Sequence, residues 1–486
     1  MLLPCAGANS PRGGSSPFNV HALQRALWVS AKRSPARTCH ALYDRIYRWD
    51  VLGDAWRRVK ANRGASGIDG TTLQQITAAG EEQFLKGMQD ALRDGTYRPH
   101  AVRRVAIPKA DGRLRPLGIP TIRDRVVQMA AKLVLEPIFE ADIKDCSYGF
   151  RPGLSATDAM ERIRVLANRG YNTVWEADIA NFFDTLDQER LMAAVQRRVS
   201  DRRVLKLLRG WLRAGVMAQG QWQETLVGTP QGGVISPLLA NVYLHALDET
   251  WETQHAHLGV LTRYADDFVI SCRSALAGQA ARTQTQGILT ALGLTLKQEK
   301  TRLVDLAWGR EGFEFLGWAL RKRWSYATQG APRCFLQRWP RPRSMQRLRT
   351  RVRGITRARP GRQVRDLLPD LNRVLRGWGN YFRTGNASKK FAEVDQYTWQ
   401  RLVVFENRRH HRKRPHYRRS MDYRWFRSLG VHRLVGTIQY PRQPVTRLPD
   451  PKVLGKPYAQ KGHVRFEQGR QETAVGCPYG KAPVFY

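Results

Sequence analysis

The stretch Leu261-Thr-Arg-Tyr-Ala-Asp-Asp-Phe-Val-Ile-Ser271 places two adjacent carboxylates, Asp266 and Asp267, between two apolar, β-prone runs. Such a pattern reads as a β-hairpin with the acids at its tip. An Asp-Asp pair in a turn is ordinarily just solvated, so this one gains meaning only from a second segment. Thr173-Val-Trp-Glu-Ala-Asp-Ile179 is a short β-like run that delivers Asp178 at its end. Three carboxylates from two such elements supply the oxygen donors that Mg²⁺, a hard cation, favours. Two such ions about 4 Å apart can clamp an in-line phosphoryl displacement.

Composition asks for the same kind of partner. The 486 residues include 81 Lys+Arg against 41 Asp+Glu, a net charge of +40. That excess predicts binding to polyphosphate and says nothing of fold. A hydrophobic content of 42% is enough for real cores, so the chain is no disordered basic tail. No apolar run reaches the roughly 18 residues that a membrane-crossing helix needs. The cysteines Cys5, Cys39, Cys146, Cys272, Cys334 and Cys477 are scattered, with no Cys-x-x-Cys pair. A Cys-based zinc site and a disulfide framework are therefore not expected, and the reading is a reducing, cytoplasmic protein.

From the N-terminus, residues 1–20 are rich in Gly, Ser and Pro, and no acid precedes Asp44, whereas Arg12, Arg25, Lys32, Arg33 and Arg37 do. The pattern suits a transit peptide or a basic arm lying on nucleic acid; a flexible arm over 1–39 is the expectation. Helical spacing follows over 40–49, 51–60 and 73–94. Residues 102–119 read as a hairpin turning at Asp111-Gly112, with Lys109 and Arg115 on facing strands. It is either a solvated hairpin or a finger folded over a triphosphate. A helix is expected from Asp124 to Leu135, ended by Glu136-Pro137. Asp187 is a candidate N-cap. In Gly228-Thr-Pro-Gln-Gly-Gly-Val-Ile-Ser-Pro237, glycines and prolines around Gln231 let backbone approach a ligand closely. Helices over 240–251 and 276–292 and strands over 293–301 and 312–317 complete an α+β pattern, expected as a sheet with helices on one face.

These segments, in this order, resemble bacterial group II intron-encoded reverse transcriptases/maturases over about residues 40–440. The blocks that carry the resemblance are IPKADGRLRPLGIPTIRDR, SYGFRPG, ADIANFFDTLD, GTPQGGVISPLLANVYL, YADD, LTLKQEKT and FEFLGW. The family implies a right-hand polymerase, with fingers and palm built on an antiparallel sheet and helices, then a helical thumb/maturase domain. By position, Asp178, Asp266 and Asp267 match the catalytic, metal-binding carboxylates, and the Ile179 carbonyl matches a further ligand. Lys109 and Arg115 match cations that grip the incoming dNTP. Asn181 and Phe182 lie where backbone N–H groups meet it, Phe183 matches the ring that screens the sugar 2′ position, and Gln231 matches the nucleotide-pocket glutamine. Lys300 stands in a family block without a firm role.

Residues 338–362 hold ten arginines and no acid, interleaved with Trp339, Leu348, Val352 and Ile355. A run this one-sided repels itself unless phosphates neutralise it, so Arg338, Arg341, Arg343, Arg347, Arg349, Arg351 and Arg353 are expected on RNA. Two striped helices follow, over 371–382 and 391–402, matching the family's RNA-binding thumb. In the basic run 408–414, Arg408, Arg409, Arg412, Lys413 and Arg414 read as phosphate contacts, and the adjacent histidines as no metal site. The tail retains only Cys477, so the Cys-pair nuclease domain of many relatives is not expected.

The domain reading is thus an arm (1–39), fingers and palm (40–320), thumb/maturase (321–405) and a basic C-terminal region (406–486). The expected activity is RNA-directed DNA polymerisation from a primer 3′-OH with two Mg²⁺ ions, Mn²⁺ being a possible substitute. The expected partners are group II intron RNA, an RNA template with DNA primer, dNTPs and target DNA, in a bacterial cytoplasmic ribonucleoprotein. The alternatives are a domesticated or defence-associated reverse transcriptase, and a splicing maturase whose polymerase is dispensable.

Overall fold

The computed structural model describes residues 17–440 apart from 109–113, 219–220, 224–227, 229–231, 326–331, 358–360 and 411–420. Among the described residues the strands are β1 (Val102–Pro108), β2 (Leu114–Ile119), β3 (Thr173–Asp178), β4 (Val216–Ala218), β5 (Gln221–Gln223), β6 (Val260–Tyr264), β7 (Asp267–Cys272), β8 (Arg302–Asp305), β9 (Gly312–Phe315), β10 (Trp318–Ser325) and β11 (Arg333–Pro340). They form three sheets, ordered β2-β1-β4-β5, β6-β7-β3-β8 and β11-β10-β9.

The sheet β6-β7-β3-β8 is antiparallel throughout and sits at the junction of two cores. Its strands β3 and β7 carry apolar residues at consecutive positions, so neither face can be left to water. Trp175, Phe268 and Ile270 pack with Ala281 and Leu289 of the Ala275–Ala291 helix in one core. Val174, Val269 and Val304 pack with Met160 and Ile163 of the Ala156–Asn168 helix in the other. The expectation of helices on one face is therefore corrected: helices cover both.

The second core continues into the thumb. There the helices Pro342–Thr356, Val364–Phe382 and Ser388–Arg409 bury Leu348, Val352, Leu371, Leu375, Phe391 and Leu402. The apolar stripes read from the sequence are core. The hairpin β10–β11, which the sequence reading passed over as a change in composition, joins palm to thumb; Trp318 meets Phe382 with ring centroids 4.7 Å apart.

Two expectations about helices are overturned by compensation from elsewhere in the chain. The helix Ile122–Glu140 runs straight through Pro137. A proline there cannot donate to the carbonyl four residues back, which is Leu133 O. That carbonyl instead accepts from Gln24 Nε2 at 3.0 Å. Gln24 belongs to a helix, Pro17–Arg33, in place of the flexible arm expected over 1–39. Its Val20, Leu23, Leu27 and Ala31 are buried. Lys32 Nζ also donates to Ala141 O at 2.8 Å, where a cation meets the carbonyl end of the proline-bearing helix. This segment thus belongs to the first of the two cores; residues 1–16 lie outside the described residues.

Smaller differences have local causes. The helix expected over 73–94 breaks at Gly80, whose φ of 107° fits no helix, into Leu73–Ala79 and Glu81–Arg93. The strand expected over 293–301 is a single bridge, Ile179 to Leu296, and a 3₁₀ turn at Gln298–Lys300, with the ladder resuming at β8.

Candidate active site

The hairpin β6–β7 closes at the pair Tyr264 and Asp267, leaving Ala265-Asp266 as a two-residue turn. Ala265 takes a φ of 59°, the left-handed conformation such tight hairpin turns need. In the neighbouring ladder Asp178 pairs directly with Asp267. Residues opposite each other project on the same face, a few ångströms apart, and like charges so placed repel. Asp178 is buried, whereas Asp266 and Asp267 are half-buried at the rim.

Two segments fix the end of β3. Lys297 N donates to Asp178 O at 2.9 Å and Ala180 N to Thr295 O at 2.8 Å, with buried Ile179 between them. Lys297 Nζ reaches Asp178 Oδ2 at 3.2 Å. Sequence reasoning singled out Lys300 in this block and missed Lys297. Only the bridge at Leu296 brings one lysine onto the acid; the Lys300 side chain lies outside the described ones.

The turn itself is held by Arg263, which is fully buried with Asp248 of the Ser236–Thr250 helix. Its Nε donates to Asp248 Oδ1 at 2.7 Å and Nη2 to Asp248 Oδ2 at 2.5 Å. Nη2 also reaches Ser147 Oγ at 2.8 Å, and Nη1 reaches Asn241 Oδ1 at 3.2 Å and the turn carbonyl Ala265 O at 3.0 Å. One planar guanidinium thus ties the helix, the 147–153 loop and the Asp-Asp turn together. Gly149 lies so close to Ala265 N that a side chain there would collide with it. Neither Arg263 nor Asp248 was singled out in the sequence; the signal was an Arg three residues before the first acid, the one charge in a strand that otherwise carries none.

The glycine-rich loop meets this site from the other side. A Cβ on Gly228 (φ 84°) would fall 2.6 Å from Phe183 O, and one on Gly232 (φ 116°) would collide with Gly118 O of β2. The loop therefore bridges the 178–185 turn and the β1–β2 hairpin by direct backbone contact. Phe182 is 2% exposed and stacks edge-on with Tyr243 and Phe183, while Phe183 is half-buried. Asn181 is exposed with a left-handed φ of 44°. Arg115 stands on β2 opposite Ile107. The Arg115 side chain, and Lys109, Gln231, Arg412, Lys413 and Arg414 altogether, lie outside the described residues.

Among the described residues no group of three or more Asp, Glu, His or Cys side chains is arranged to hold a metal ion by itself. The donor set fits a hard divalent ion all the same, because Mg²⁺ is commonly held by one or two carboxylates with substrate phosphates and water completing the shell. Two carboxylates facing each other across a ladder are what such an ion neutralises.

The basic run divides. Arg343, Arg347, Arg351 and Arg353 are exposed on the Pro342–Thr356 helix, opposite buried Met345, Leu348 and Val352. Arg341 pairs with Glu314 at 3.3 Å, Arg349 with Glu393 at 3.7 Å and Arg409 with Glu406 at 2.8 Å; Arg408 is exposed. The reading of Arg338 as a nucleic-acid contact is corrected. It is 1% exposed, pairs with Glu161 at 3.0 Å and lies 5.5 Å from the Trp318 ring centroid. Burial pushes its guanidinium down to about 10 against the opposing pull of Glu161.

Comparison with known proteins gives two matching families. Residues 107–320 match "Reverse transcriptase (RNA-dependent DNA polymerase)", and residues 345–425 match "Group II intron, maturase-specific domain". Protein YkfC of Escherichia coli is 36% identical over 350 residues, 63% of this chain and 90% of YkfC. Group II intron-encoded protein LtrA of Lactococcus lactis is 37% identical over 215 residues, 43% of this chain and 35% of LtrA, so the match spans about a third of that relative. A solved partial Cas6-RT-Cas1–Cas2 complex is similar at 26% identity over 51% of this chain and 42% of that one; its TM-score of 0.32 carries no structural argument.

Proposed function

The chain belongs to the group II intron-encoded reverse transcriptases and maturases, and on that premise we propose that it copies RNA into DNA at the Asp178–Asp267 pair and binds intron RNA through its thumb. The observation that carries this reading is the direct cross-strand pairing of Asp178 with Asp267, with Asp266 in the turn beside them. A reverse transcriptase depends on divalent metal ions in general; the finer proposal is Mg²⁺, with Mn²⁺ as substitute, on these three carboxylates and the Ile179 carbonyl. When bound, such ions lower the barrier by activating a primer 3′-hydroxyl and stabilising the leaving phosphate.

The chain's own residues do the positioning. Arg263 fixes the turn so that Asp266 and Asp267 do not swing apart. Gly228 and Gly232 keep the nucleotide-side loop against Phe183 and β2. Lys109, Arg115 and Gln231 would grip the triphosphate, Asn181 and Phe182 would offer backbone N–H groups, and Phe183, the more accessible of two adjacent rings, would wall off the sugar 2′ position. The exposed arginines Arg343, Arg347, Arg351 and Arg353 would hold intron RNA by its phosphates, with Arg408 and Arg409 extending that surface. The unit so described runs over fingers and palm to about residue 320 and thumb to about residue 405, working as a ribonucleoprotein that also meets target DNA.

Replacing Asp178 or Asp266 with Asn keeps shape and removes the charge that holds the ion. Primer extension on an RNA template should vanish while RNA binding persists. Extension near the wild-type rate by either variant would overturn the assignment.

A further inference from the structure

Trp308 and Trp324 stack on each other, with ring centroids 5.7 Å apart and planes 15° apart. Yet Trp308 is 66% exposed and Trp324 41%. Single exposed apolar residues are ordinary, but a stacked pair left open to water is a platform. It is also held under backbone strain. Trp308 has φ 55° and ψ 13°, a region that bulky residues avoid and that tends to persist where it serves a site. The strain is locked in from behind. Gly309 lies against Lys322 O with no room for a Cβ, and Arg321 Nε donates to Gly309 O at 2.9 Å.

Arg310 and Arg321 stand beside the pair, with the carboxylates of Asp305 and Glu311 close by. Arg310, two residues on, is largely exposed and 3.6 Å from Asp305. Leu306 N donates to Asn172 O at 2.8 Å, which ties the segment before Trp308 to the start of β3. The cluster lies at the far end of the palm sheet, where Thr173 pairs with Asp305. Asp178 is five residues further along β3, roughly 17 Å away at the usual rise per residue.

We propose that the Trp308–Trp324 pair is a stacking platform for an unpaired base of single-stranded RNA, with Arg310 taking a flanking phosphate. A flat aromatic surface beside a cation matches a base with its phosphate, and the chain's net charge of +40 selects against a basic or neutral partner. Only an unpaired or splayed base offers its face for stacking, so duplex RNA does not fit. The site is separate from the catalytic turn and does not stand or fall with the polymerase.

The test uses the full chain and a short single-stranded oligouridylate carrying 5-iodouracil, which photocrosslinks to aromatic rings it stacks on. Peptide mass spectrometry should find the adduct on Trp308 or Trp324, and annealing the probe to its complement should abolish it. Adducts confined to other parts of the chain would overturn the proposal. A second arm uses Trp308→Gly, because glycine accepts the local φ without strain. Its melting temperature should equal or exceed wild type, while affinity for the probe falls at least about fivefold, the loss of one stacked base. The log–log salt slope should hold, since no phosphate contact is removed. Trp308→Phe should retain most of the affinity. Unchanged affinity in Trp308→Gly, with or without lost stability, would make the pair merely structural. Self-association of wild type that disappears in Trp308→Gly would show a second copy to be the occupant and overturn it equally.

Discussion

Arg263 and Arg351 are the same side chain in opposite situations. Arg263 is fully buried, with every direction of its guanidinium taken by Asp248, Ser147, Asn241 or the Ala265 carbonyl. Arg351 lies exposed on the thumb helix in a row with Arg343 and Arg347. A charge that has left water must be matched on all sides, so it fixes geometry. A charge in water on a helix face, with a like charge four residues away, gains most from an incoming phosphate. Arg338 shows how sharply burial sorts the two. Written in sequence it belongs with Arg351; folded, it is buried like Arg263, with Nη2 on Glu161 and Thr384 O and its ring-side face by Trp318.

The comparison breaks most readily at Arg263. Arg263→Met strands Asp248 in the interior and should cost about 3–5 kcal/mol in denaturant unfolding. Adding Asp248→Leu removes the stranded charge and should restore much of that stability. Primer extension should stay low in the double variant, because Ala265 O still lacks its donor and the turn is loose. Recovery of both stability and extension would reduce Arg263 to a fold residue.

Phe182 and Phe183 pose the same contrast one residue apart. Phe182→Val, in the core, should lower stability by about 1–3 kcal/mol and leave sugar choice alone. Phe183→Val should cost less and admit rNTPs markedly better. Incorporation efficiency for dNTP and rNTP in both variants checks this; discrimination lost at Phe182, or at neither, would dismiss the pocket reading.

How much of this was legible in the sequence follows the same divide. The N-cap Asp187 and the apolar stripes of the thumb are local patterns, and both appear in place; the two β-runs that carry the acids also form, and they set Asp178 opposite Asp267. Arg338's burial was not legible, because a run of charge does not say which members a strand turns inward. Nor was Lys297, which reaches Asp178 only through a bridge formed by distant segments. Pro137 ends a helix by every local rule; it does not do so here because Gln24 supplies the missing donor from 109 residues away in sequence. The docked N-terminal helix was hidden by a composition that looked like a tail.

At the exposed end of the comparison the effects on stability shrink. Replacing Arg343, Arg347 and Arg351 together with Gln should change unfolding free energy by no more than about 0.5 kcal/mol per site. The same variant should flatten the log–log salt slope of RNA binding by about 0.7 to 0.9 per lost phosphate contact. An unchanged slope would place intron RNA on another face of the thumb.

The proposal is that Asp178 and Asp267, opposite each other in the ladder with Lys297 on Asp178, hold a divalent cation between them. Its most direct test is the melting temperature of wild type and Asp267→Asn, taken in chelator and again with saturating Mg²⁺. The account predicts that Asp267→Asn melts above wild type in chelator, since a like charge opposite Asp178 is gone, and that Mg²⁺ raises wild type alone. A variant that melts below wild type in chelator, with Mg²⁺ raising both equally, would contradict it.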